Sequence, residues 1–91
     1  MGKLPRVVKT ILADEFIGEM NPKFPIMEIS NDSRLYIERH MGVCEYSDTE
    51  IHIAVIFGKV IICGSNMKLT SMSRECLVIT GSIERIAFVR G

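Results

Sequence analysis

Three cysteines and two histidines, Cys44, Cys63, Cys76, His40 and His52, are the side chains of this sequence best equipped for chemistry. A thiol and an imidazole within hydrogen-bond reach make an activated nucleophile, and a carboxylate such as Glu38 could orient the ring. That arrangement needs the strand carrying Glu38 to persist to His40. No motif joins His40 to a cysteine, so an enzyme of unknown reaction centred on that pair ranks third among the functions weighed. A metal site wants Cys or His ligands at short spacing. Here whole apolar segments separate the cysteines, and there is no Cys-x-x-Cys or His-x-x-x-His. The simpler reading makes the three thiols small apolar residues in or near the core. His52 alternates with the apolar residues of "IHIAVIF" and reads as an outward, exposed side chain. Glycine-rich phosphate loops are also missing, and Gly64-Ser65-Asn66 and Gly81-Ser82 read as turns. No metal, cofactor or small-molecule substrate is expected, and the chain is expected not to be an enzyme.

A second constellation is aromatic and basic. Arg34, Tyr36, Arg39 and Tyr46 lie in or beside what read as neighbouring strands, where a small barrel could stack nucleobases. Cross-strand packing explains the two tyrosines more simply. Charge weighs against nucleic acid, because 11 basic residues are balanced by 11 acidic ones and no run of one sign occurs. A nucleic-acid-binding barrel is therefore the alternative function, and nucleic acid is not the expected partner.

The elements that position these residues follow from length and pattern. A chain of 91 residues has room for one core. It is 47% hydrophobic, only 7% aromatic and lacks Trp, so Ile, Val, Leu and Met must build that core. Some of this aliphatic content is expected at an oligomer or partner interface. An odd number of cysteines, with no apolar leader in "MGKLPRVVKTILADEF" and no apolar run of ~18 residues, suggests a soluble protein with free thiols in a reducing compartment.

Residues 1–24 form a first unit. Val7, Val8, Ile11, Leu12, Ala13, Phe16 and Ile17 make an amphipathic stripe after Pro5, which predicts a short helix or arm ending near Gly18 or Asn21-Pro22. Residues 25–91 form the second, an all-β domain. "PIMEIS" reads as a strand with Ile26 and Ile29 inward, and "RLYIERH", "VCEYS", "EIHIAVIF", "VIIC", "MKLTSM", "CLVIT" and "SIERIAFV" follow. Turn chemistry separates them at Asn31-Asp32-Ser33, His40-Met41-Gly42, Asp48-Thr49, Gly58-Lys59, Gly64-Ser65-Asn66, Ser73-Arg74-Glu75 and Gly81. Turns every ~6–10 residues predict a small antiparallel sandwich or barrel. The segments "GKVIICGSNMKLTSM" and "ECLVITGSIERIAF" rhyme, which keeps a short β-solenoid-like roll as the alternative architecture.

In order, "RLYIERHMGVCEYSDTEIHI", "GKVIICGSNMKLTSM" and "CLVITGSIERIAF" resemble the YabP/YqfC family of sporulation proteins. The resemblance runs over residues 24–89. It rests on Pro25, the block from Tyr36 to Gly42, Glu45-Tyr46-Ser47, Gly58, Ile62, Gly64, Asn66, Leu69, Gly81 and Ile83. Two positions depart from the family pattern: Arg39 stands where Asn is usual before the histidine, and Met41 where Arg is usual after it. The resemblance implies a protein of endospore-forming bacteria acting in the mother cell. It implies a cytoplasmic location or a peripheral one at the forespore or spore envelope, and no reaction or catalytic residue. The function expected is a non-enzymatic structural or interaction module of endospore formation. Its partners would be proteins of the sporulation machinery, some at a membrane, together with further copies of itself. Tyr36, Glu38, Arg39, His40 and Tyr46 are the candidate interaction residues, and the crowding of Glu38, Arg39 and His40 before Gly42 singles out that turn. His40 could equally pin the turn to a backbone carbonyl.

Overall fold

The computed structural model describes residues 23–91, and they are all-β. The helix expected within residues 1–24 falls almost wholly outside them. Six strands, β1 (Ile26–Ser30), β2 (Arg34–Glu38), β3 (Val43–Tyr46), β4 (Glu50–Val55), β5 (Gly58–Met72) and β6 (Cys76–Arg90), form one antiparallel sheet in the order β1-β2-β6-β5-β4-β3. Every pairing is antiparallel, so the solenoid-like roll, which stacks parallel strands, is not the architecture. β1 and β3 end the strand order and do not pair with each other, so the sheet is not closed into a barrel.

The two long strands make this single sheet two-layered. β2 pairs only with the first part of β6, Cys76–Thr80, while β4 pairs only with the first part of β5, Gly58–Cys63. Because β5 and β6 run antiparallel, Gly58–Cys63 lies against Arg85–Arg90, and Lys68–Met72 lies against Leu77–Thr80. One half of the sheet is thus built on β1 and β2 and the other on β3 and β4. The register shifts between the halves, at Cys63/Gly64 and Ser65/Lys68, and the ribbon bends there. Leu35, Ile37, Met67, Leu77 and Ile79 from one half join Ile51, Ile53, Val55, Val60 and Ile62 from the other in one buried cluster. The halves therefore face each other as a sandwich folded from one sheet.

The bend corrects two turns expected from the sequence. Gly64-Ser65-Asn66 and Gly81-Ser82 do not end strands; they are the crossing point of continuous strands, with Ser65 paired to Ser82. Glycine is required there by contact. A Cβ on Gly64 would stand 2.0 Å from the Ser82 carbonyl oxygen, and one on Gly81, at φ +140°, 2.6 Å from that of Asn66. Backbone groups that lose their ladder partners at the bend find others in the two short turns. The Gly81 and Ile83 amides donate to the carbonyls of Ser33 and Asp32, and those of Gly64 and Met67 to Thr49 and Asp48.

Two further readings change. The β4–β5 hairpin turns at Ile56-Phe57, with Val55 paired to Gly58, and not at Gly58-Lys59. In β1 the inward residues are Met27 and Ile29, opposite Ile37 and Leu35, while Ile26 sits opposite Glu38 on the outer face. Directly paired residues share a face, and the buried partners decide which one.

Candidate functional site

The five candidate interaction residues fall into three places. Tyr36 and Glu38 lie on the outer face of β2, alternating with buried Leu35 and Ile37. The Tyr36 hydroxyl lies 3.3 Å from Cys76 Sγ on the neighbouring strand and 3.3 Å from Glu38 Oε1, and its single proton is shared between the two acceptors. That bond to Cys76, helped by partial desolvation and by the charges of Cys76 and Glu38, pushes the phenol up to about 12. Tyr36 is thus a proton-holding residue at any physiological pH.

Arg39 and His40 form the corner where the chain leaves β2 for β3. Arg39 takes φ 68°, a conformation uncommon for a residue with a side chain, and the amides of Arg39 and His40 both donate to the Glu75 carbonyl. Its guanidinium donates to the carbonyl of Phe24 at 3.2 Å. His40 is buried. The Gly42 amide donates to Nδ1 at 3.0 Å, and Nε2 lies 3.0 Å from the Ser73 carbonyl. A carbonyl can only accept and an amide can only donate, so the proton sits on Nε2 and the ring is neutral in this arrangement. Both ring nitrogens are therefore committed to backbone. The ring ties the corner to the β5–β6 turn, and neither nitrogen faces a thiol.

Around the corner lies a shallow hollow of about 450 Å3 lined by Lys23, Arg39, His40, Met41, Ile56 and Glu75. Met41 is 66% exposed and Ile56 42% exposed on its rim. Met41 and Ile56 thus line the same hollow as the Arg39 guanidinium and the Glu75 carboxylate, so exposed apolar area adjoins charge of both signs. The sequence pointed to this corner through Glu38, Arg39 and His40. It did not point to Ile56, which joins the patch only because the β4–β5 hairpin turns beside it.

Tyr46 is elsewhere. β3 is separated from β2 by three strands, so the two tyrosines are not on neighbouring strands, as a stacking platform would need. The Tyr46 hydroxyl accepts the Leu69 amide at 3.2 Å, satisfying one backbone donor of β5. Arg34 lies exposed at the start of β2.

The cysteines are unpaired and spread out. Cys63 and Cys76 are half-buried, whereas Cys44 is exposed, contrary to the core position expected. The register slips between Val43 and Glu45, and Cys44 is the residue left over on the edge strand. His52 is half-buried on the outer face of β4, less exposed than its alternation suggested, and forms a cluster invisible in linear spacing. Its Nε2 lies 2.6 Å from Glu50 Oε2 and 3.3 Å from Glu45 Oε1. Glu45 reaches it across the β3–β4 ladder and Glu50 from two residues away on the same strand face. The three groups make a surface ion-pair triad when His52 is protonated, of a kind that contributes little to stability.

The family model described as the YabP family matches residues 24–91. A curated relative, "Uncharacterized protein YqfC" of Bacillus subtilis (strain 168), is 29% identical over 55 residues. That alignment covers 60% of this chain and 59% of the relative's length. No solved structure matches.

Proposed function

The chain belongs to the YabP family, and from that premise we propose that it is a non-enzymatic interaction module of endospore formation. It acts in the mother cell, in the cytoplasm or at the periphery of the forespore or spore envelope, and contacts a protein of the sporulation machinery through the corner after β2. The observation that carries this reading is the pairing of a pinned backbone with displayed side chains. His40 is held inside by two hydrogen bonds, while Met41 beside it is 66% exposed over the hollow. A contact residue on a corner so held loses little conformational entropy on binding. The outer edges of the end strands offer backbone donors and acceptors for pairing with a second copy or the same partner.

The test is complementation of spore formation in a strain lacking the protein. Met41→Asp places a charge in the middle of the patch without touching the His40 hydrogen bonds. Normal thermal unfolding with spore counts lowered at least tenfold supports the reading. Wild-type spore counts from Met41→Asp and Ile56→Asp, singly and together, overturn it.

A further inference from the structure

The sheet has a free edge in its interior. β2 pairs only with Cys76–Thr80 of β6, and among the described residues nothing pairs with the outer edge of Arg85–Arg90. β6 lies inside the strand order, so this edge is distinct from those of the end strands β1 and β3. The ladder with β5 decides which backbone groups line it. The Gly91 amide donates to the Phe57 carbonyl at 3.0 Å, and pairs along an antiparallel ladder alternate between bonded and unbonded. The bonded pairs with β5 are therefore Val89–Lys59, Ala87–Ile61 and Arg85–Cys63. The N–H and C=O groups of Ile86, Phe88 and Arg90 point outward at the free edge.

The same edge is apolar on its core face and incompletely covered. Ile86 pairs with buried Ile62 and Phe88 with buried Val60, so both side chains lie on the core face. Yet Phe88 is 59% exposed. Beside it a slot of about 570 Å3 runs between the start of β1 and the end of β6, with Met27, Phe57, Phe88 and Arg90 in its walls. The Arg90 guanidinium stands 5.3 Å from the Phe57 ring centroid. A strand added here would cover the open side of Phe88 and give the outward backbone groups partners.

The sequence of this edge is complementary to itself. Two copies of Glu84–Arg90 laid antiparallel about a two-fold axis at Ala87 set Ile86 opposite Phe88 and Glu84 opposite Arg90, each twice over. Ile86 and Phe88 both carry outward backbone groups, so each such pair closes two ladder bonds. The Ala87 side chains meet at the axis in an unbonded pair, where Cα atoms approach closest and a small residue fits. Glu84 has no β5 partner, because the register shifts there, and its side chain is exposed. The neighbouring registers do worse. An axis at Ile86 sets Phe88 opposite Glu84, and an axis at Phe88 sets Arg90 opposite Ile86.

We propose that the outer edge of Glu84–Arg90 is a dimer interface, where a second copy of this chain pairs antiparallel about a two-fold axis at Ala87. The two copies then share one continuous sheet. Ile86 and Phe88 of each chain pack against the same two residues of the other, and two Glu84–Arg90 ion pairs flank the contact. This surface is separate from the patch around Met41, and the proposal does not depend on the function assigned to that patch.

The experiment is sedimentation equilibrium of the full chain over a range of concentrations. Wild type should reach the mass of two chains. Glu84→Arg and Arg90→Glu, both at exposed positions, should each raise the dimer dissociation constant about tenfold, because two symmetric cross-strand pairs turn repulsive at once. Glu84→Arg combined with Arg90→Glu in one chain should restore association, and so should an equimolar mixture of the two single variants. A single-chain mass at the highest soluble concentration overturns the proposal. A dimer that neither single variant weakens also overturns it, since the contact then lies on another edge. So does a double variant as weak as the single ones, because the register then does not set Glu84 against Arg90.

Discussion

His40 Nε2 lies 3.0 Å from the carbonyl oxygen of Ser73, joining the end of β2 to the turn between β5 and β6. The same ring accepts the Gly42 amide. One neutral imidazole thus satisfies a donor and an acceptor on two separate pieces of chain.

His40→Ala should destabilise the fold by about 2–4 kcal/mol, since it opens a buried space and leaves the Ser73 carbonyl and Gly42 amide without their partner. Glu38→Ala removes a half-exposed carboxylate that only accepts from Tyr36, and should cost less than about 1 kcal/mol. Urea unfolding of both variants checks this. Equal effects would show that the imidazole is not what holds the corner.

Gly64→Ala and Gly81→Ala should each unfold the protein more readily than Ala at any exposed strand position. Gly81 adds backbone strain of about 1–3 kcal/mol at its positive φ, and both add steric overlap with the opposite strand. Thermal unfolding reads the difference. Tolerance of both changes would mean that the ribbon does not cross as closely as described.

Tyr36 should titrate late in an ultraviolet absorbance titration, with a midpoint raised from 10 to about 12. Folding holds this proton more tightly than the unfolded chain does. The stability it contributes is therefore complete below pH 10 and is lost as pH climbs from 10 towards 12. Cys76→Ala removes the leading cause and should bring the midpoint back down. A Tyr36 midpoint unchanged by Cys76→Ala would contradict the Tyr36–Cys76 contact.

Cys44→Ser, at an exposed position, should change stability by no more than about 0.5 kcal/mol. Cys63 and Cys76 are half-buried, so Ala or Val should be tested beside Ser at each, because an unpaired hydroxyl carries its own cost. Thiol titration of the native protein should find Cys44 reacting fastest. Loss of folding in any Ala variant would mean that the thiols do more than fill space.

The alternation of Ile51, Ile53 and Val55 was enough to place β4 and its buried face, because a period of two has one physical meaning when one side is dry. The glycines were harder. Gly-Ser in an aliphatic context has the same local signature whether the chain reverses or two strands cross, and only the pairing of Ser65 with Ser82 decides it. The rhyme between the two segments has a cause other than a stacked roll. It marks the two strands of one bent ribbon, each needing glycine where it passes the other. In "PIMEIS" the register puts Ile29 inward, as its pattern predicts, but sets Ile26 opposite Glu38, so β1 presents Met27 in its place. In the candidate site, the ionisable groups of the corner were legible as a run. The Glu45–Glu50–His52 triad and the contribution of Ile56 were not, since both arise from strands and turns that neighbour each other only after folding.

Both layers of the sandwich are built on β5 and β6, so neither layer owns a complete set of strands. Peeling β1 and β2 away would strip the Leu77–Thr80 face, and peeling β3 and β4 would strip Gly58–Cys63, yet the same continuous backbone runs through both. Amide protons that bond across the β5–β6 ladder should accordingly exchange through whole-molecule opening, with a similar protection level in both halves of each long strand. The β5–β6 hairpin closed by Ser73–Glu75 joins strands consecutive in sequence, which suits it to carry both layers into register at once.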